Sequence, residues 1–198
     1  MNLPAVGSIS MTLKELHTKT SVQFRDSLSK DALQLNGQQA DAKQANRVSK
    51  FLDLIRRKAE ISVFAEIISE NNFPTGAGLA SSASGFAALT VAATTAAGLE
   101  LAPAELSEIA RQGSGSAARS IFGGFVEMKT GNLTDGSDAI ATQLFDETYW
   151  PLEMLICITS ETEKPVGSTE GMVRTATTSP FYNCLLYTSD AADELLGV

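Results

Sequence analysis

An α+β fold is what this 198-residue sequence predicts, and three observations carry it. Strand-like alternation and helix-like periodicity are interspersed without the regular β-α-β succession of a parallel sheet. A charge-free, alanine-rich stretch from Ser82 to Ala97 demands a helix deep in a core. Two glycine- and serine-rich loops, residues 74–83 and 113–120, each open a helix. With 43% hydrophobic residues the chain can bury one substantial core.

Leu3 to Leu13 and Ser21 to Leu35 carry alternating, β-branched segments and predict antiparallel sheet, with Asn36-Gly37 as a hairpin turn. From Gln44 to Lys58, Val48, Phe51, Leu52 and Ile55 recur at three- and four-residue spacing. That predicts an amphipathic helix whose Lys and Arg face is solvated. Ile61 to Ile68 reads as a largely buried strand running into the loop from Asn71 to Leu79. The Ser82 to Ala97 helix has no charge to show to solvent, so burial on nearly every side is expected, with Gly98 as its stop. Pro103 opens a short helix over Ala104 to Gln112, with Leu106, Ile109 and Ala110 on one face and Gly113 past its end.

Further on, Gly123 to Lys129 and Leu152 to Thr159 read as strands separated by a turn-rich segment around Asp135-Gly136. Cys157, in the second of them, is expected in the core. Another helix is expected near Ser168 to Gly171.

Composition excludes several functions. Fifteen Lys and Arg against 23 Asp and Glu give a net charge of −8, which opposes a broad grip on nucleic acid or anionic lipid. No apolar run approaches the roughly 20 residues that span a bilayer, so the expectation is a cytoplasmic protein with no membrane partner. With His17 as the sole histidine a histidine-rich zinc site is excluded, and the expectation is that this chain holds no Ser-His-Asp triad and no Cys-His pair. Two cysteines without ligand spacing give neither a disulfide framework nor a metal site.

The two loops have the chemistry of anion sites. Unpaired N–H groups and the positive end of the helix dipole favour phosphate at a helix start, and glycines let its oxygens approach the backbone. The first loop is not a P-loop, since no Gly-Lys-Ser/Thr follows, nor a dinucleotide fingerprint, since Ser81 stands where the third glycine would be. In the second, the planar fork of Arg119 suits a bidentate hold on a carboxylate, with a surface ion pair as the alternative. Ser114 and Ser116 would donate to anionic groups or cap a helix.

Pro74 to Ser84, with Ser81-Ser82 leading into the alanine helix, resembles the phosphate-binding loop of the GHMP kinase superfamily. Asn71-Asn72-Phe73-Pro74, Gly78-Leu79-Ala80-Ser81-Ser82 and Gly113-Ser114-Gly115-Ser116-x-x-Arg119-Ser120-x-Phe122-Gly123-Gly124 together resemble one branch of it, the diphosphomevalonate decarboxylases. The resemblance extends from Asn2-Leu3-Pro4 and Ser8 to Leu13 through Gly167-Ser168-Thr169-x-Gly171-Met172, to about Tyr182.

The resemblance implies the GHMP α+β sandwich, with a first domain like the second domain of ribosomal protein S5, truncated here at both ends. Residues 1–160 would form the N-terminal domain without its first strand region, and 161–183 the start of the C-terminal one. Residues 184–198 resemble the translation of a sequencing adapter, and are set apart as a non-native tail.

The implied activity is ATP-dependent decarboxylation of mevalonate 5-diphosphate to isopentenyl diphosphate with Mg²⁺, by phosphorylation of the 3-hydroxyl and elimination. Gly76, Gly78, Leu79, Ala80, Ser81 and Ser82 would hold the nucleotide, with Ser69 and Asn71 lining its site and Ser82 reaching the metal. Ser114, Ser116, Arg119, Ser168 and Thr169 would hold the substrate, and Arg119 and Ser116 would be catalytic. The family's lysine segment would precede Asn2 and its aspartate would follow Tyr182, which implies an inactive fragment of an active homodimeric parent. A GHMP small-molecule kinase and a catalytically silent nucleotide-binding module are the alternatives.

Overall fold

The computed structural model of the chain describes residues 2–75, 79–157, 166, 168–184 and 186. Their strands form two sheets. β2 (Thr18–Arg25), β5 (Phe64–Asn71), β3 (Ala32–Leu35) and β4 (Gln38–Gln39) lie side by side in that order; β1 (Ser8–Met11), β6 (Phe125–Met128) and β7 (Ala141–Phe145) form the second sheet. The second sheet is antiparallel throughout, whereas the first is mixed, because β3 runs parallel to β5. The expected antiparallel pairing therefore holds for β2 with β5 and for the β3–β4 hairpin, but not for β3 with β5.

The hairpin turns at Asn36-Gly37 as expected, both with positive φ (49° and 75°). The alternating segments expected from Ser21 to Leu35 fall in two strands, β2 and β3, since Asp26 to Lys30 leave the ladder and Asp31 turns inward. Its carboxylate accepts from Ala65 N at 2.8 Å and pairs with Arg56.

Helix α1 (Ala42–Ala59) starts in a capping box, where Asp41 accepts from Gln44 N and the Gln44 side chain accepts from Asp41 N. It buries Phe51, Leu52 and Ile55 as its spacing dictates. Its basic face is not simply solvated. Arg56 is buried between Asp31 and Asp53, and Arg47 turns in toward the third helix. An arginine can do this because its planar fork finds several fixed acceptors at once.

Helix α2 (Ser81–Ala96) is the central helix, with Phe86, Leu89 and Ala93 in the main core, and Gly98 (φ 74°) ends it. It is not covered on every side, since Val91 is 45% exposed and Thr95 and Ala96 face out. Alanine and threonine tolerate that exposure at little cost, so the lack of charge overstates burial. The buried Thr90 and Thr94 return their hydroxyls to carbonyls one turn back, at 2.6 and 2.8 Å. Strand β5 likewise buries one face only: Ala65 and Ile67 point to the helices, while Phe64 and Ile68 are 36% and 40% exposed. The helical layer covers a single side of this sheet.

Helix α3 (Pro103–Gly113) has Pro103 in its first turn and Ile109 and Ala110 in the core, and is followed by a 3-10 helix, Gly115–Ile121. A second cluster, Val126, Met128, Ala139 and Ala141 with Ala118, lies under the three-stranded sheet. Strand β7 falls in the segment expected to be turns. Four of its five residues are exposed, so it carries no burial pattern to read. Leu152 to Cys157 form no strand among the described residues: Leu155 is 90% exposed and Cys157 is at the surface, not in the core. An apolar run becomes a strand only where an edge is offered to it. Helix α4 (Ser168–Thr178) begins where expected.

Candidate anion site between two loops

Strand β5 delivers its last residues to the first loop. Ser69 and Asn71 share the face of Ala65 and Ile67, and each meets a threonine of β2: Ser69 Oγ is 2.8 Å from Thr20 Oγ1, and Asn71 Oδ1 is 2.6 Å from Thr18 Oγ1. The Asn71 amide donates to Thr75 Oγ1 at 2.9 Å. Asn72 accepts from His17 N at 2.8 Å and donates to Glu15 O at 2.6 Å. Both asparagines thus tie the loop to the sheet. Gly76 and Gly78 lie outside the described residues.

Leu79 and Ala80 lead into α2. Ala80, its N-cap, is left-handed (φ 54°, ψ 37°) and has no side-chain oxygen to offer the first N–H groups. A non-glycine residue held there costs about 1–2 kcal/mol. The half-buried Ser81 and the exposed Ser82 form the first turn, at the positive end of the helix dipole.

The second loop reaches the same place from the other side. Ser114 ends α3, with its N–H on Ala110 O at 3.1 Å, and starts the 3-10 helix, with its carbonyl accepting from Ala117 N at 2.8 Å. Its hydroxyl caps neither helix. Instead, Ser114 Oγ lies 3.4 Å from Ser82 Oγ, so residues 32 positions apart meet across the gap between α2 and α3.

Two contacts fix this approach. Arg47 donates to Gly113 O at 2.8 Å and lies over the Phe86 ring, 4.7 Å from its centroid. Gly113 abuts the same ring so closely that a Cβ there would lie 2.2 Å from Phe86 Cδ1. Phe86 is one turn beyond Ser82 on α2, so one aromatic side chain sets the spacing of the two loops. Sequence reading missed Arg47 because its helical position placed it with the solvated cations.

Arg119 sits in the last turn of the 3-10 helix, half-buried, and donates from Nη1 to Ser8 Oγ of β1 at 2.7 Å. Among the described residues it makes no ion pair. Burial alone pushes its pKa below the ordinary arginine value. A partly desolvated guanidinium held by one neutral hydroxyl has donors to spare for an anion. The surface ion pair weighed as its alternative is absent from the described residues. Ser8 gave no sequence signal as a partner, since the two residues are 111 positions apart.

Ser116, half-buried, is one residue beyond Gly115 in the same helix. Ser168 and Thr169 are in the first turn of α4, and their side chains lie outside the described residues. No group of three or more His, Cys, Asp or Glu capable of holding a metal occurs among the described residues. No helix there is long and apolar enough to cross a membrane.

A helical layer on a mixed sheet, with glycine- and serine-rich loops at two helix junctions, defines a GHMP kinase fold, and solved structures agree. A mevalonate diphosphate decarboxylase from Enterococcus faecalis superposes with a TM-score of 0.82 at 41% identity, over 96% of this chain and 57% of that one. A structure described as MDDEF in complex with MVAPP, AMPPCP and magnesium gives 0.83 at 42%, with the same coverage.

The diphosphomevalonate decarboxylase-like N-terminal domain model matches residues 1–141, and the mevalonate 5-diphosphate decarboxylase C-terminal domain model matches 154–188. The chain belongs to the diphosphomevalonate decarboxylase family. Relatives include the diphosphomevalonate decarboxylases of Ganoderma lucidum, 43% identical over 90% of this chain and 48% of that protein, and of Saccharomyces cerevisiae, 40% identical over 92% and 50%. The chain spans about half the length of the curated relatives it matches.

Proposed function

We propose that the protein carrying this chain is a cytoplasmic ATP-dependent decarboxylase that converts mevalonate 5-diphosphate to isopentenyl diphosphate. The observation that carries the reading is the convergence of the two loops, with Ser82 and Ser114 in contact, and, in the 3-10 helix that Ser114 opens, a half-buried Arg119 that lacks a carboxylate partner among the described residues. Membership of the family supplies the substrate.

In this reading the start of α2, with Ser81 and Ser82, takes the nucleotide phosphates. Ser114 and Ser116 take the acceptor's anionic groups, with Ser168 and Thr169 toward its diphosphate. Arg119 holds the carboxylate. The γ-phosphoryl group passes from ATP to the 3-oxygen, leaving ADP, while the 3-hydroxyl proton is released to solvent; the C3–O bond then breaks to release phosphate, and the bond to the carboxylate breaks to release carbon dioxide, its electron pair forming the alkene. Positioning and charge stabilisation supply most of such catalysis. A magnesium ion would neutralise phosphate charge. The donor set fits a metal carried mainly by phosphate oxygens and water, with the Ser82 hydroxyl as a protein ligand at the helix start.

The test is ATP turnover by the protein with mevalonate 5-diphosphate labelled at its carboxyl carbon. Equal release of ADP and labelled carbon dioxide is expected. ADP without carbon dioxide would make it a small-molecule kinase, and nucleotide binding without turnover a silent binding module.

A further inference from the structure

Behind the first loop, a chain of neutral side chains links three elements through one residue that belongs to neither anion loop. Thr18, the first residue of β2, is half-buried, with its hydroxyl 2.6 Å from Asn71 Oδ1 and 2.7 Å from Ser84 Oγ. Thr18 is the donor toward both oxygens, and since a hydroxyl has one proton, Asn71 Oδ1 and Ser84 Oγ share it. Asn71 in turn donates to Thr75 Oγ1, and Asn36 of the β3–β4 turn donates to the same oxygen at 3.1 Å. Asn36 also accepts from Asn71 N at 2.8 Å. Thr75 enters the loop and Ser84 lies in the first turn of the helix that leaves it. Thr18 is where the two ends are joined.

We propose that Thr18 is a positioning residue that fixes the start of α2 against the end of β5, and through it the affinity for the nucleotide phosphates. Its neighbours have little freedom to compensate. Thr75 Oγ1 already accepts two bonds, and Asn71 has its backbone N–H, its amide and its carbonyl engaged. Removing the Thr18 hydroxyl leaves the Asn71 carbonyl and the Ser84 hydroxyl without this partner, and the first turn of α2 loses this side-chain tether to the sheet. Helix termini bind phosphate through N–H groups whose directions must be set in advance, so a loosened first turn weakens binding without touching the acceptor substrate.

The nucleotide part rests on the function proposed above, and the tether itself does not. The experiment compares the protein with Thr18→Val, which keeps the shape, and Thr18→Ser, which keeps the hydroxyl. In the unliganded protein, amide exchange at Asn72, Phe73, Thr75 and Ser81 to Ser84 should quicken about tenfold in the valine variant and stay unchanged in the serine variant. With Mg-ATP, KM for the nucleotide should rise about tenfold in T18V, while KM for mevalonate 5-diphosphate and kcat stay within about twofold. Exchange unchanged in T18V, or quickened equally in T18S, would overturn the tether. Quickened exchange with an unaltered nucleotide KM would overturn its role in binding. If the wild-type protein takes no nucleotide at all, the function proposed above fails and with it the binding role, while the exchange rates still decide the tether.

Discussion

The loop ahead of α2 offers backbone N–H groups and hydroxyls at a helix start, whereas the loop after α3 offers a guanidinium. Around the first, the fixed contacts are neutral: Thr18, Asn36, Asn71 and Thr75 hold one another at 2.6–3.1 Å. Around the second, the structural contacts use cations: Arg47 pins Gly113 O and Arg119 reaches Ser8. A helix start carries only about half an elementary charge, but it spreads that charge over several donors, which suits the oxygens of a phosphate chain. A guanidinium concentrates a full charge in one planar fork, which suits a carboxylate. In the proposed reading, this difference is what lets a chain with net charge −8 take anions: positive potential is built locally, by dipoles on one side and by a cation without a carboxylate partner among the described residues on the other.

The contrast is broken most severely at Arg119. Arg119→Gln keeps hydrogen-bond donors but removes the charge, and kcat/KM for decarboxylation should fall by about 10²–10³ with nucleotide affinity almost unchanged. Arg119→Lys should recover only part of the loss, because a point charge cannot reproduce the fork. Steady-state carbon dioxide release and equilibrium binding of an ATP analogue measure the two terms separately. Equal losses in both would mean that the loops do not divide the work as described.

Spacing comes next. Gly113→Ala drives a methyl group into the Phe86 ring, which is trapped between Phe51, at 5.1 Å between centroids, and Arg47. Overpacking of this kind costs about 1–3 kcal/mol, and a denaturant melt should show it. Activity should fall further than stability, since Ser114 shifts away from Ser82. A variant that melts early yet keeps full activity would show that the 3.4 Å approach is not used.

These contacts also mark where the sequence stopped being informative. The helices and the Asn36-Gly37 turn were legible because their signals are local: spacing, Pro103 and Gly98. Strand β7 was not, since it buries only its first residue, and the apolar run Leu152 to Cys157 promised a strand that finds no partner among the described residues. The motifs of both loops were readable one by one. That Ser82 meets Ser114, and that Ser8 rather than a carboxylate holds Arg119, depends on pairings 32 and 111 positions apart, which no local pattern encodes. The inward turn of Arg47 was hidden for a related reason, since a cation on a helix reads as solvated until its acceptor is known.

A smaller effect is expected at Ser114. Its hydroxyl caps neither neighbouring helix, so Ser114→Ala should leave the melting temperature within error and weaken binding of mevalonate 5-diphosphate by about fivefold, the worth of one hydrogen bond. A clear loss of stability would make the residue structural after all.

The finest test falls on the backbone of the first loop. Ala80 is held left-handed at the foot of α2, a conformation that disfavours a Cβ by about 1–2 kcal/mol. Ala80→Gly removes that strain but adds the chain entropy of glycine to the unfolded state, about 0.4–1 kcal/mol. The first term exceeds the second, so the variant should be more stable by somewhat under 1 kcal/mol, a rise in melting temperature of about 2 °C for a chain of this size. If the strain is what aims the first turn of α2 at the nucleotide, the same variant should bind Mg-ATP two- to threefold more weakly while melting later. A gain in stability with undiminished nucleotide affinity would show instead that the tether through Thr18 is sufficient to orient the loop, and that the left-handed alanine is a cost the fold carries without return.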